Sequence, residues 1–189
     1  MRLTSIEKKE AGHYITRYDL TYETVDKKKK VYEIISRNND LTDATALSDS
    51  AVDSVVLIMH DASDEHILLN REFRLAVNDW VYNFPAGLID PGESPLDAAT
   101  RELHEETGLA LDTVDDIIPE SYGAVGFSNE KNVCIVGTAS GNFKPSSSTV
   151  EEIEAGWFDR KQVRELLKKE HFAARTQAYC YLWSKQPSN

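Results

Sequence analysis

Between Gly87 and Leu109 the chain reads GLIDPGESPLDAATRELHEETGL, with Glu102, Glu105 and Glu106 at i, i+3 and i+4. On a helix those positions adjoin, so three carboxylates gather on one face. Arg101 stands one turn before Glu105, and Glu93, just ahead of the helix, can reach the same cluster or support it. A run of charge is usually a solvated surface, and like charges at i,i+4 cost only about 0.2–0.5 kcal/mol when exposed. In a partly enclosed cleft, carboxylates about 6 Å apart repel by roughly 3 kcal/mol at an effective dielectric near 20. Divalent cations between them reverse the sign. Oxygen-only ligands favour hard ions, Mg2+ or Mn2+, over zinc. Such an ion keeps positions for water and phosphate oxygens, and it makes a bound water more acidic. The chemistry expected is attack by water on one phosphorus of a diphosphate bridge, helped by a glutamate that orients or deprotonates the water.

The helix that must carry these groups is signalled at both ends. Asp90-Pro91-Gly92 reads as a tight turn. Ser94 follows as N-cap, with Pro95 at the first helical position and Asp97 at the third. Gly108 stands where a helix commonly ends on a left-handed residue. Leu96, Ala99 and Leu103 share the face expected to pack on a sheet.

Around this segment the pattern is rich in strands. Residues 13–24 and 31–36 alternate, with Tyr18, Leu20 and Tyr22 on one side, and Lys27 to Lys30 fall at the tip between them. Residues 37–51 are polar and read as a loop. SVVLIMH (54–60) is an unbroken apolar run of buried-strand type, followed by HILLNREFR (66–74) and WVYNFPAG (80–87). After the helix, SYGAVG (121–126) and KNVCIVGTAS (131–140) read as strands flanking a loop at Phe127-Ser128-Asn129-Glu130, and Thr149 to Asp159 as another strand. Residues 160–170 and 174–185 have helical spacing. The order predicts an α/β class fold, an α/β/α sandwich with a mixed sheet and an N-terminal β-hairpin extension over 1–50 ahead of a catalytic domain over 51–189.

The formal net charge is −11. That balance argues against a nucleic-acid backbone as partner, which needs a basic patch, and leaves a small, phosphate-rich molecule whose charge the metal ions would offset. No apolar run has the length of a membrane span or the form of a signal peptide. Cys134 and Cys180 lie in apolar stretches without metal-ligand spacing, and the expectation is buried free thiols in a cytoplasmic protein.

The spaced pattern of Gly87, Glu93, then Arg101-Glu102-Leu103-x-Glu105-Glu106-x-Gly108-Leu109 resembles the signature of the Nudix hydrolases, with every fixed position filled. At average residue frequencies a chance match is on the order of one in a million or rarer. The resemblance implies hydrolysis of a nucleoside diphosphate linked to another moiety, with Glu102, Glu105 and Glu106 as metal ligands. NREFRLAVNDWVYNFPAGLIDPGES (70–94) is similar to the region ahead of the motif in ADP-ribose and nucleoside-diphosphate-sugar pyrophosphatases. In that subgroup the Ala86 carbonyl would be a further ligand and Glu130 a loop glutamate that binds metal or activates water, with Glu151, Glu152 and Glu154 as alternatives. The subgroup also implies a homodimer in which residues 1–50 exchange across the dimer and help to hold substrate; a hairpin covering its own core is the other reading.

Arg71 and Arg74 are expected on one side of a strand, as phosphate contacts or as partners of structural carboxylates. Trp80, Tyr82 and Phe127 would stack on a base or fill the core. Asn83 stands where many relatives carry Glu, and Ala124-Val125-Gly126 where the ADP-ribose subgroup often carries Ser-Pro-Gly, so a sugar nucleotide other than ADP-ribose stays open. Oxidised nucleoside triphosphates, dinucleoside polyphosphates and NADH are further substrates within the class. Outside it stand a non-catalytic nucleotide sensor, which would need a DNA-binding segment, and isopentenyl diphosphate isomerisation, which would need a poised cysteine.

Overall fold

The computed structural model describes residues 1–49, 51–148 and 150–187. Alternation shapes its first part. Strands β1 (Arg2–Ala11), β2 (Thr16–Glu23) and β3 (Lys29–Ser36) form an antiparallel sheet in that order. Tyr18 and Leu20 turn to one side of β2 and are buried with Ile34 and Leu41 in a small core of their own. The β2–β3 connection closes with Thr24 N–H donating to the Lys28 carbonyl at 2.8 Å. The expected hairpin is therefore extended by a third strand, β1. Most of its residues are exposed, so it shows no apolar alternation. Within the polar stretch 37–51 a short helix, α1 (Ala44–Ser48), is capped by Asp43; Ser50 of that stretch lies outside the described residues. Residues from Met1 to Asp53 and from Glu120 to Asn132 make up one compact unit.

A second unit runs from Ser54 to Pro119 and from Val133 onward. Its elements are β4 (Ser54–His60), β5 (His66–Arg74), β6 (Asp79–Asn83), β7 (Ala86–Leu88), α2 (Pro95–Thr107), β8 (Ala110–Tyr122), β9 (Lys131–Ser140), β10 (Ile153–Asp159), α3 (Arg160–Lys169) and α4 (Ala174–Trp183). β8 and β9 contribute residues to both units. The large mixed sheet has the order β10-β5-β4-β9-β8, with β6 paired to β5 and β7 to β4. Every residue of β4 is buried, as its unbroken apolar run requires. Val56, Ile58, Ile67 and Leu69 of β4 and β5 pack with Val163 of α3 and with Cys180 and Trp183 of α4.

Three boundaries differ from the sequence expectation. The segment 80–87 breaks into β6 and β7 at Phe84-Pro85, since proline has no N–H for a ladder. The strand expected over 121–126 is instead the end of β8, which starts directly after α2; residues 124–127 turn, with Phe127 N–H bonded to the Ala124 carbonyl. Nearly every side chain of β8 is exposed, so no period of two marks it. Of the strand expected over 149–159, Ile153–Asp159 forms, and Thr149 lies outside the described residues. Both cysteines are buried and unbonded. Among the described residues no helix is long and apolar enough to cross a membrane.

Candidate active site

Helix α2 is fixed at both ends by the residues the sequence singles out. Ser94 Oγ accepts from Asp97 N–H at 3.2 Å, Pro95 starts the helix, and Gly108 ends it at φ 79° with its N–H on the His104 carbonyl. Ala98, Ala99, Leu103 and Thr107 are buried. Leu96, expected on that face, is 43% exposed and lies in the first turn of the helix, where side chains tend to lean toward the helix start.

Arg101 is the hub of the cluster. Its Nε and Nη2 donate to the two oxygens of Glu93, both at 2.9 Å, and Nη2 also reaches the Leu88 carbonyl at 2.9 Å. Nη1 donates to Glu102 Oε1 at 2.7 Å and to Glu105 Oε2 at 3.2 Å. A planar five-donor guanidinium can serve this many acceptors at once, which an ammonium cannot. The bidentate pair, with a further bond from Asp90 N–H, holds the Glu93 carboxyl down at about 2 and pushes Arg101 up. Glu93 thus anchors Arg101 and stays ionised.

The three helix glutamates differ in their surroundings. The Glu102 side chain is 15% exposed, and burial raises its pKa even against the pull of Arg101. Its carboxylate lies against β7: a Cβ on residue 87 would stand 1.9 Å from Glu102 Cδ, so a glycine there lets the carboxylate lie against the strand. Glu106 Oε2 accepts from Asn70 Nδ2 at 2.8 Å and from Ala86 N–H at 3.3 Å. Burial pushes the Glu106 carboxyl well above the usual range, and the charges of Glu102 and Glu72 add to that. Glu105, at 47% side-chain exposure, is the outermost.

Other expected residues fall elsewhere. Side chains alternate along a strand, so Arg71 and Arg74, three apart, take opposite faces of β5 rather than one. Arg71 lies over the Trp80 ring at 4.3 Å and pairs with Glu154 at 2.9 Å, while Arg74 pairs with Glu72 at 2.5 Å. Trp80 also meets Phe73 edge-on, and Tyr82 is a core residue stacked on Phe172. Glu130 and Phe127 belong to the first unit, where Arg37 Nε donates to Glu130 Oε2 at 3.1 Å and the Phe127 carbonyl accepts from Ile35 N–H at 2.8 Å. Glu151, in the second unit, bears on both Glu102 and Glu106 through its charge. Asn70 and Glu72 were not singled out by sequence; a polar residue closing the apolar run Ile67-Leu68-Leu69 is the one local sign of the first.

Among the described residues no three acidic, imidazole or thiol groups stand close enough to hold an ion as they are arranged. Arg101 draws Glu102 and Glu105 toward itself, and Glu106 Oε2 is already bonded twice. The residues nevertheless fit a hard divalent cation. The donors are all oxygen, and two of the carboxylates resist ionisation where they sit. Gly87 also lets the Glu102 carboxylate come up against the backbone of β7, beside Ala86.

A mixed sheet with a capped glutamate helix over its β7 strand defines a class, and comparison with known proteins agrees. The model of the NUDIX domain matches residues 51–180, and the chain belongs to that family. The ADP-sugar pyrophosphatase of Mus musculus is 31% identical over 147 residues, 76% of this chain and 65% of that protein. The ADP compounds hydrolase NudE of Escherichia coli K12 is 36% identical over 72 residues, 38% of this chain and 39% of that protein. The ADP-ribose pyrophosphatase of Saccharomyces cerevisiae is 38% identical over 96 residues, 49% and 41% of the two chains. Each match thus spans less than two-thirds of the relative's length. A crystal structure of an ADP compounds hydrolase superposes with a TM-score of 0.71 at 19% identity, over 97% of this chain and 92% of that one, and shows the fold.

Proposed function

We propose that this chain is a metal-dependent pyrophosphohydrolase. It would cleave the diphosphate bond of a nucleoside diphosphate linked to another moiety, ADP-ribose or a related sugar nucleotide, and release a nucleoside monophosphate and a sugar phosphate. The observation that carries the reading is geometric: on one helix Glu102 lies against the Gly87 backbone, Glu106 against Ala86 and Asn70, and Arg101 joins Glu102 to Glu105. Glu102, Glu105, Glu106 and the Ala86 carbonyl would hold Mg2+ or Mn2+, which when bound polarises a phosphoryl oxygen and acidifies water. Arg101, anchored by Glu93, bridges Glu102 and Glu105, and Gly87 leaves the room that the Glu102 carboxylate takes. Glu130 is the base implied by the resemblance, and Glu151 is its rival because its charge reaches the helix carboxylates.

Arg74, on the Asn70 and Glu72 side of β5 that meets Glu106, is the candidate for the substrate's phosphates, whereas Arg71 takes the other face. The Arg71–Glu154 pair is an exposed one, of a kind worth little by itself. Trp80 and Phe127 are the stacking candidates. Residues 1–50 act as a dimerisation and substrate-binding element of a homodimer; the first unit carries a 340 Å³ cavity lined by Tyr22, Tyr32 and Tyr122, of a size and apolarity suited to a base. Reduced buried thiols accord with a cytoplasmic location. The test is incubation of the pure protein with ADP-ribose, other sugar nucleotides, NADH and diadenosine polyphosphates under Mg2+ and then Mn2+. Nucleoside monophosphate release from a sugar nucleotide is the expected result, and no turnover of any member of the panel removes the proposal.

A further inference from the structure

Asn70 is a buried amide in an apolar strand. It is 1% exposed and follows Ile67, Leu68 and Leu69, each fully buried. Its Nδ2 donates to Glu106 Oε2 at 2.8 Å, and its Oδ1 has no hydrogen-bond partner among the described residues. A buried polar atom left unpaired costs stability, and such residues call for a reason other than packing. Leucine has the same branched outline and would continue the run.

The terminal torsion of a glutamate is broad, so its own rotamer does not aim its two oxygens. Neighbours must do it. At Glu106 they do: Asn70 Nδ2 and Ala86 N–H both bond Oε2, which fixes the carboxylate plane and leaves Oε1 as the oxygen not held by either. Ala86 supplies the longer bond, at 3.3 Å, from the strand that also passes against Glu102. Asn70 is thus the shorter of the two holds and the one made by a side chain.

We propose that Asn70 is a positioning residue: by holding Oε2 it presents Glu106 Oε1 to a divalent cation, and this accounts for an amide in an otherwise apolar strand. The inference rests on the metal-dependent reading above. Its test is titration of the metal-free protein with Mn2+ alone, free Mn2+ being read by electron paramagnetic resonance. The variants are Asn70→Leu, which keeps the branched outline and removes the donor, and Asn70→Ser, which keeps a shorter donor. Asn70→Leu should weaken Mn2+ binding by about tenfold or more, and Asn70→Ser by less. In a Glu106→Gln background Asn70→Leu should have no further effect. Should Asn70→Leu lack a cooperative melt, Asn70→Ser carries the same comparison with and without Glu106. Unchanged Mn2+ affinity in a folded Asn70 variant, or an equal loss in both backgrounds, overturns this inference and leaves the hydrolase reading standing. A natural protein that binds no Mn2+ overturns both.

Discussion

The carboxylate of Glu102 occupies the space that a side chain on residue 87 would need, with Glu102 Cδ 1.9 Å from the place of a Cβ. The obstacle is the end of a flexible side chain, so Gly87→Ala should move the carboxylate rather than the backbone. We expect a large fall in turnover with a thermal midpoint close to that of the natural chain. Paired melts and steady-state rates check this, and a variant of normal activity would show that Glu102 need not stand where it does.

Gly108→Ala should behave in the opposite way. Gly108 has φ 79°, and a Cβ there would stand 2.8 Å from the backbone nitrogen of Lys144. Both the left-handed conformation and the backbone contact resist an L side chain, and the expected loss is about 1–3 kcal/mol. Denaturant unfolding measures it. Turnover per folded molecule should change less than in Gly87→Ala, because no carboxylate is displaced.

Leu103→Ala tests the packed side of the same helix. Leu103 is fully buried among the α2 residues that face the sheet. Deleting a buried leucine's methyl groups leaves a cavity and costs about 2–5 kcal/mol. Urea unfolding should show that loss with an unchanged m-value. A loss well under 1 kcal/mol would mean that the helix is not held by this face.

What the sequence made legible follows the range of the interactions. The helix, its Ser94 and Gly108 caps, and the joint facing of Glu102, Glu105 and Glu106 all depend on residues within four positions of one another, and local spacing reveals them. The Arg101–Glu105 contact is of the same local kind, whereas the Arg101–Glu93 pair spans eight positions, and spacing showed only that Glu93 could reach the cluster. β1 and β8 were missed because their side chains are mostly exposed, so no alternation marks them. Asn70 meets Glu106 across 36 positions, through strand and helix packing that no local pattern encodes. Arg71 and Arg74 went wrong at a simpler step, since three residues along a strand reverses the face.

Glu93 and Glu106 should shape the pH dependence of stability with opposite signs. The folded pKa of Glu93 is depressed to about 2 by Arg101, so its contribution is present above the ordinary carboxylate value and lost as pH falls through about 2. Glu93→Gln should flatten that acid limb in thermal melts. A variant whose acid limb keeps the natural slope would mean that Arg101 does not hold this carboxyl.

Glu106 is raised in the folded state, chiefly by burial, so it binds a proton there more tightly than in the unfolded chain. Its contribution is full below the unfolded carboxylate value and is lost as pH rises toward its folded value, because the native state must then ionise a group that burial disfavours. With chelator present, Glu106→Gln should therefore melt higher than the natural chain at neutral pH, and the difference should shrink toward acid pH. The same variant should lose turnover by about a hundredfold or more, since the charge it removes serves the reaction and not the core. A Glu106→Gln protein that melts lower than the natural chain at neutral pH, or that turns over normally, would place this carboxylate in the scaffold.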